Sequence, residues 1–141
     1  EIAKHFEYSE IELVIAPAVG GIVVGTEVGR MLGARTIFAE RENGVMSLRR
    51  GFEIKKGERV LVVEDVVTTG GSVEEVIALV RNAGAHVVGV GYIVDRSNGK
   101  VQFDAKTFAV LEMDVVTYRE EAMPDTLRSI PVSKPGSRGL Q

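Results

Sequence analysis

Val60-Leu61-Val62-Val63-Glu64-Asp65-Val66-Val67-Thr68-Thr69-Gly70-Gly71-Ser72 is the stretch that decides the fold. An apolar, β-branched run meets two adjacent carboxylates, then a turn of hydroxyls and glycines, then a helical pattern. That order spells strand, turn and helix N-terminus. In open α/β sheets ligands sit beyond the carboxyl ends of the strands. There the N–H groups of Thr69, Gly70, Gly71 and Ser72 can point at a phosphate, with glycine allowing close approach of the backbone. The helix dipole adds partial positive charge, and Thr68, Thr69 and Ser72 can donate from their hydroxyls. Glu64 and Asp65 would repel a phosphate. They suit the vicinal hydroxyls of a ribose, or a Mg²⁺ shared with pyrophosphate. Phosphate and diol side by side describe a ribose 5-phosphate. The spacing departs from the nucleotide-binding glycine fingerprints, which need other glycine and lysine positions.

Outward from this string, apolar β-rich runs alternate with helical patterns, so the fold class is α/β, a mostly parallel twisted sheet flanked by helices. Residues 11–16 read as the first buried strand, ended by Pro17, and residues 21–32 as a helix with Gly33 after its last turn. Residues 35–39 and 59–63 are the second and third strands. Ser72 is placed to cap a helix through Val80, with Glu75 completing a capping box. Residues 86–94 form the next strand, and residues 107–111 and 115–118 two short ones at the sheet's far edge. The tail from Pro124 reads as irregular and polar.

Residues 40–58 are too long for an ordinary connection. Polar and apolar positions alternate around residues 46–54, and the segment reads as a flexible hairpin arm. From Glu40 to Arg59 there are six cations (Arg41, Arg49, Arg50, Lys55, Lys56, Arg59) against four glutamates, a local +2 on a chain of net charge −3. That is an anion lure on an acidic protein.

The whole chain sets bounds. Its 141 residues suit a single domain, residues 1–141, and its 45% apolar and 26% charged content suits a globular one. The apolar runs are far too short to span a bilayer, so no membrane partner is expected. The acidic balance argues against nucleic acid as a partner. Without cysteine there is no disulfide, thiolate chemistry or cysteine metal site, which fits a cytoplasmic protein. His5 and His86 have no partner at metal-ligand spacing, and the four methionines read as core filler.

The 60–72 string resembles the PRPP-binding signature (PRPP being 5-phosphoribosyl 1-pyrophosphate) of the type I phosphoribosyltransferase family: apolar strand, two acids, two variable residues, Thr, a small residue, Gly, then a small or hydroxyl residue. The resemblance implies that Glu64 and Asp65 hold the ribose hydroxyls and that Thr68, Thr69, Gly70, Gly71 and Ser72 cradle the 5-phosphate. Ala16-Pro-Ala-Val-Gly-Gly-Ile22, alone an ordinary βα turn, is similar to the family's pyrophosphate loop, with Ala18, Val19, Gly20 and Gly21 at the contacts. An unusual backbone is implied there, of which a non-proline cis peptide is one form.

Phe38-Ala-Glu-Arg-Glu42 and Met46-Ser-Leu-Arg-Arg-Gly-Phe52 are similar to one bacterial branch of the orotate enzymes. By that resemblance the arm closes over PRPP, and Arg41, Arg49 and Arg50 are its catalytic candidates, some serving the neighbouring subunit of a homodimer with shared active sites. Val94-Asp-Arg-Ser97 resembles the pair that sets Arg96, with Thr68, at orotate. Ile130-Pro-Val-Ser-Lys-Pro-Gly-Ser-Arg138 resembles the end of that branch.

Together these imply a Mg²⁺-dependent glycosyltransferase of pyrimidine biosynthesis that takes PRPP and orotate to orotidine 5-phosphate and pyrophosphate. Mg²⁺ would be held mainly through PRPP, and by Asp65 if by any side chain. The orotate branch carries an N-terminal hood that supplies a lysine to the base. That hood lies outside these 141 residues, which read as a piece of a longer protein or a chain without it. Two other readings stay open at this point: a purine phosphoribosyltransferase, and a PRPP-sensing regulator without turnover.

Overall fold

A strand that is apolar at every position must be covered on both sides, because successive side chains face opposite ways. The computed structural model describes residues 1–116 and 118–131. In it β1 (Leu13–Pro17) and β4 (Arg59–Val67) are strands of this kind. Leu13, Ile15, Val60 and Val62 pack with Val73, Val76, Ile77 and Val80 of α3 (Gly71–Asn82). The alternate residues Val14, Ala16, Leu61 and Val63 pack with Val28 of α2 (Gly20–Leu32). Ile2 and Ala3 of α1 (Ile2–His5), with Phe6 just after it, complete that second layer. Two helical layers therefore sandwich the sheet.

The remaining strands are β2 (Arg35–Glu42), β3 (Val45–Leu48), β5 (His86–Asp95) and β6 (Lys106–Glu112). The six run in the order β3-β2-β1-β4-β5-β6. Only β3 is antiparallel, to β2. From β1 the chain steps to β2 on one side, then returns to place β4 on the other. The order reverses between β1 and β4, and a crevice opens at such a point beyond the strands' carboxyl ends. Both glycine turns picked out by sequence emerge there.

At the opposite end, buried Glu58 accepts from Arg35 Nη2 at 2.7 Å and from Lys55 N–H at 2.9 Å. Arg59 Nη2 donates to the Ser9 carbonyl at 3.0 Å. Glu58 and Arg59, counted above with the arm's charges, thus tie down the strands' N-terminal ends.

Gly33 ends α2 at φ 66°, as its position predicts. Other expectations need correction. Ser72 is not the cap of α3: Gly70, at φ 77°, holds that position and Ser72 lies in the first turn, with no side-chain cap bond. Glu75 has a different partner, described below. Of residues 115–118, the three that are described form no strand, because no neighbour pairs with them beyond β6. The tail holds a 3₁₀ turn (Glu120–Ala122) and one short helix, α4 (Asp125–Arg128). The tail resemblance, from residue 132 on, falls outside the described residues.

The arm is a hairpin, and β2 runs three residues further into it than periodicity predicts. Asn43 and Gly44, at φ 51° and 83°, form the two-residue turn that suits the twist of paired strands. Its apolar side is not free: Met46 belongs to the core, Leu48, Phe52 and Ile54 pack against it, and Phe52 meets Phe38 edge-on at 5.0 Å. Among the described residues no helix is long and apolar enough to cross a membrane.

Candidate active site

β4 continues past the apolar run and carries both carboxylates on its last turns of pleat, paired to β5 as far as Val67 and Asp95. Glu64 is buried, and its Oε1 accepts from the Asp65 N–H at 3.0 Å. Asp65 is half-buried, and its Oδ1 accepts from the Val66 N–H at 2.8 Å. Burial, with the Asp65 carboxylate beside it, pushes the Glu64 carboxyl up to about 8. At neutral pH Glu64 then keeps its proton and can donate as well as accept.

Beyond them the chain turns at Thr68, Thr69 and Gly70 into α3. The Thr69 to Ser72 N–H groups have no backbone acceptor among the described residues, as expected at a helix start. Thr68 and Thr69 are exposed, and a concavity of about 50 Å³ is lined by Glu64 and by residues 66–73. Gly70 is needed for two reasons. Its φ is 77°, and a Cβ there would lie 2.7 Å from Val101 Cγ1 and 3.1 Å from Phe103 Cε1. The wall formed by Val101 and Phe103 fixes the turn from behind.

The glycine loop after β1 comes to the same place. The Ala18–Val19 peptide is cis, and the Ala18 N–H donates to the Ala39 carbonyl at 2.8 Å. Gly20 lies against the Asp65 carboxylate, and a Cβ on Gly21 would sit 3.0 Å from Glu64 Oε1. Val19 is exposed. Two anion-ready turns thus flank one acidic couple.

The arginines divide. Arg41 reaches across to α3, where Nε lies 3.1 Å from Glu75 Oε2 and Nη2 lies 2.8 Å from Oε1. The same Nη2 is within 3.5 Å of Ser72 Oγ, at the rim of the turn that opens α3. Arg49 pairs with Glu42 at 3.3 Å, and Arg50 with Glu40 at 2.8 Å while covering the Phe38 ring. All three arm candidates are matched by carboxylates; Glu40 and Glu42 are already counted in the arm's +2, and Glu75 of α3 offsets one further charge. Arg96 is exposed and in no ion pair among the described residues; its N–H donates to the Val67 carbonyl at 2.8 Å, which holds it beside the turn. Asp95 braces that corner by accepting from the Ser97 N–H at 2.7 Å and the Tyr92 hydroxyl at 3.3 Å. Burial raises the Asp95 carboxyl, but those bonds outweigh it and hold it below the usual range.

Among the described residues no group of three or more His, Cys, Asp or Glu could cage a metal ion. The Asp65 carboxyl group beside two anion-ready turns fits a Mg²⁺ held largely by substrate phosphates.

Residues 2–122 match the family described as Phosphoribosyl transferase domain. The chain belongs to that family. It is similar to the orotate phosphoribosyltransferase of Chlorobium phaeobacteroides, 56% identical over 141 residues that make up all of this chain and 73% of that protein. The Chlorobaculum parvum enzyme of the same name is 59% identical across 98% of this chain and 72% of its own length. That of Thermotoga maritima is 54% identical across all of this chain and 75% of its own.

Among solved structures, adenine phosphoribosyltransferase from Rhodothermus marinus superposes at a TM-score of 0.71, with 22% identity over 79% of this chain and 75% of that one. Purine phosphoribosyltransferase from Pyrococcus horikoshii gives 0.67, with 21% identity over 80% and 78%. Identities this low speak for the fold alone. The structure thus brings together the acidic couple, both glycine turns and Arg41, with Arg96 at the edge. Arg49 and Arg50 instead pair along the hairpin. Sequence reasoning assigned Glu75 to a cap, and nothing local signals its partnership with Arg41.

Proposed function

We propose that residues 1–141 are the single core domain of an orotate phosphoribosyltransferase, which transfers the phosphoribosyl group of PRPP to orotate and releases pyrophosphate. The observation that carries this is the acidic couple running directly into an open phosphate turn, with the second glycine turn packed against it. Orotate is favoured as the base because the relatives that span nearly the whole chain bear that name, at 54–59% identity.

In this reading the Thr69 to Ser72 amides and the Thr68, Thr69 and Ser72 hydroxyls hold the 5-phosphate. Asp65 and protonated Glu64 hold the diol, the first accepting and the second both donating and accepting. The residue 18–21 loop receives the pyrophosphate, and Arg96, with Thr68, faces the base. A guanidinium is well shaped for a planar carboxylated ring. The chemistry that Mg²⁺ would supply is charge neutralisation of the leaving pyrophosphate, and Asp65 is the side chain that would hold it alongside PRPP. The anomeric carbon passes through an oxocarbenium-like state, so no protein nucleophile is required. Positioning and charge stabilisation supply the rate, with Arg49 and Arg50 set against the growing charge and Arg41 held beside the 5-phosphate turn. The enzyme works as a cytoplasmic homodimer with shared sites.

The test is incubation with PRPP, Mg²⁺ and, in turn, orotate, adenine, guanine and xanthine, following pyrophosphate. Release with orotate alone supports the reading. Release with a purine moves the assignment within the family, and PRPP binding without release from any base makes the chain a sensor.

A further inference from the structure

Arg41 and Glu75 form the one ion pair that bridges the hairpin and α3 among the described residues. The contact is side-on and bidentate: Nε and Nη2 face the two Glu75 oxygens at 2.8–3.1 Å. Such a grip fixes the guanidinium plane and leaves the Nη1 donors uncommitted. The plane is fixed next to the phosphate turn, since Nη2 is also within 3.5 Å of Ser72 Oγ. Glu75 sits one helical turn beyond Gly71, so without Arg41 its charge would stand unneutralised close to the place where a phosphate is to bind.

We propose that Glu75 is a positioning residue, holding Arg41 with free donors aimed over the phosphate turn while Arg41 in return cancels a carboxylate that would repel the ligand. The inference rests on the phosphate reading of that turn. It has a signature that a merely structural pair lacks. Glu75 helps only when Arg41 is present, and harms when it is absent. The effect belongs to ligand capture, so it falls on KM for PRPP and leaves kcat alone, because the pair neutralises charge already present in the bound ground state.

The experiment is a double-mutant cycle with Glu75→Gln, Arg41→Ala and the combined variant, titrating ribose 5-phosphate by calorimetry and measuring KM and kcat for PRPP. Both side chains are substantially exposed, so all three variants should fold. Glu75→Gln should weaken ribose 5-phosphate by about fivefold, the upper end for a well-formed exposed pair, and raise KM for PRPP in proportion with kcat unchanged. Arg41→Ala should weaken binding further. The combined variant should bind at least as tightly as Arg41→Ala alone. Wild-type affinity in Glu75→Gln, or losses that multiply in the combined variant, would overturn the role of Glu75 while leaving the site itself standing. A wild-type chain that takes up neither ribose 5-phosphate nor PRPP removes the phosphate site and this role together.

Discussion

Gly20 lies so close to Asp65 that a β-carbon on the glycine would overlap Oδ2 and Cγ of the carboxylate. The glycine loop after β1 and the acid at the end of β4 are therefore a single packed unit, and the absent side chain of one sets the position of the other. Gly20→Ala must displace either the carboxylate or the loop. Overpacking of this kind costs about 1–3 kcal/mol in stability. Turnover should fall at least about tenfold, the effect of losing roughly 1.4 kcal/mol of transition-state stabilisation. Steady-state kinetics beside thermal melts will check this, and an active Gly20→Ala enzyme would show that Asp65 is not needed where it stands.

Asp65→Asn isolates the charge from the geometry. The amide keeps one acceptor oxygen but cannot match a carboxylate in holding the diol or a cation. Turnover should drop by at least about tenfold with little change in melting temperature. Near-normal pyrophosphate release from this variant counts against the assignment of the acidic couple.

The two halves of the site differed in how readable they were. The acidic couple and the glycine turn after it are contiguous along the chain, so local chemistry and local structure coincide in the 60–72 string. The Gly20–Asp65 contact and the Arg41–Glu75 pair were not legible. The latter partners are 34 residues apart, and which face of a hairpin meets which turn of a helix is set by Met46, Leu48 and Phe52 packing into the core. The cap at Gly70 was missed for a related reason. Ser72 with Glu75 satisfies the local capping pattern, but Val101 and Phe103 leave room only for a glycine in the left-handed conformation two residues earlier. At the sheet's edge the sequence suggested a short strand at residues 115–118, and the three of these that are described pair with no neighbouring strand.

Glu64 links the site to stability through pH. Its carboxyl is raised from 4.5 to about 8 by burial and by Asp65, so folding favours the protonated form. A group raised in this way contributes fully below its unfolded value, and the contribution is lost as pH rises through the folded one. Glu64→Gln mimics the protonated state and does not titrate. Its melting temperature should gain on the wild type progressively from about pH 5 to about pH 9, with little further gain above that. A constant offset across the range would place the titration elsewhere.

Arg49 and Arg50 make exposed pairs with Glu42 and Glu40. Such pairs contribute about 0–1 kcal/mol each. Replacing both by alanine should therefore cost less than about 2 kcal/mol in a urea melt, while turnover falls at least about tenfold if they meet the pyrophosphate. A collapsed melting transition with kinetics otherwise intact at low temperature would make them struts of the hairpin.

Gly70 and Gly51 share almost the same φ, 77° and 76°, but not the same surroundings. A Cβ on Gly51 meets nothing within 4 Å, whereas one on Gly70 meets Val101 at 2.7 Å and Phe103 at 3.1 Å. Gly51→Ala should cost only the left-handed backbone penalty, about 1–2 kcal/mol. Gly70→Ala adds overpacking of about 1–3 kcal/mol, and relief of that clash must push the turn out of register with its free N–H groups. The larger loss of stability should come with a loss of ribose 5-phosphate binding that Gly51→Ala does not show, by calorimetry on both variants. Equal melts and equal affinities would mean that the wall behind the turn yields, and that the phosphate cradle is not held rigid by Val101 and Phe103.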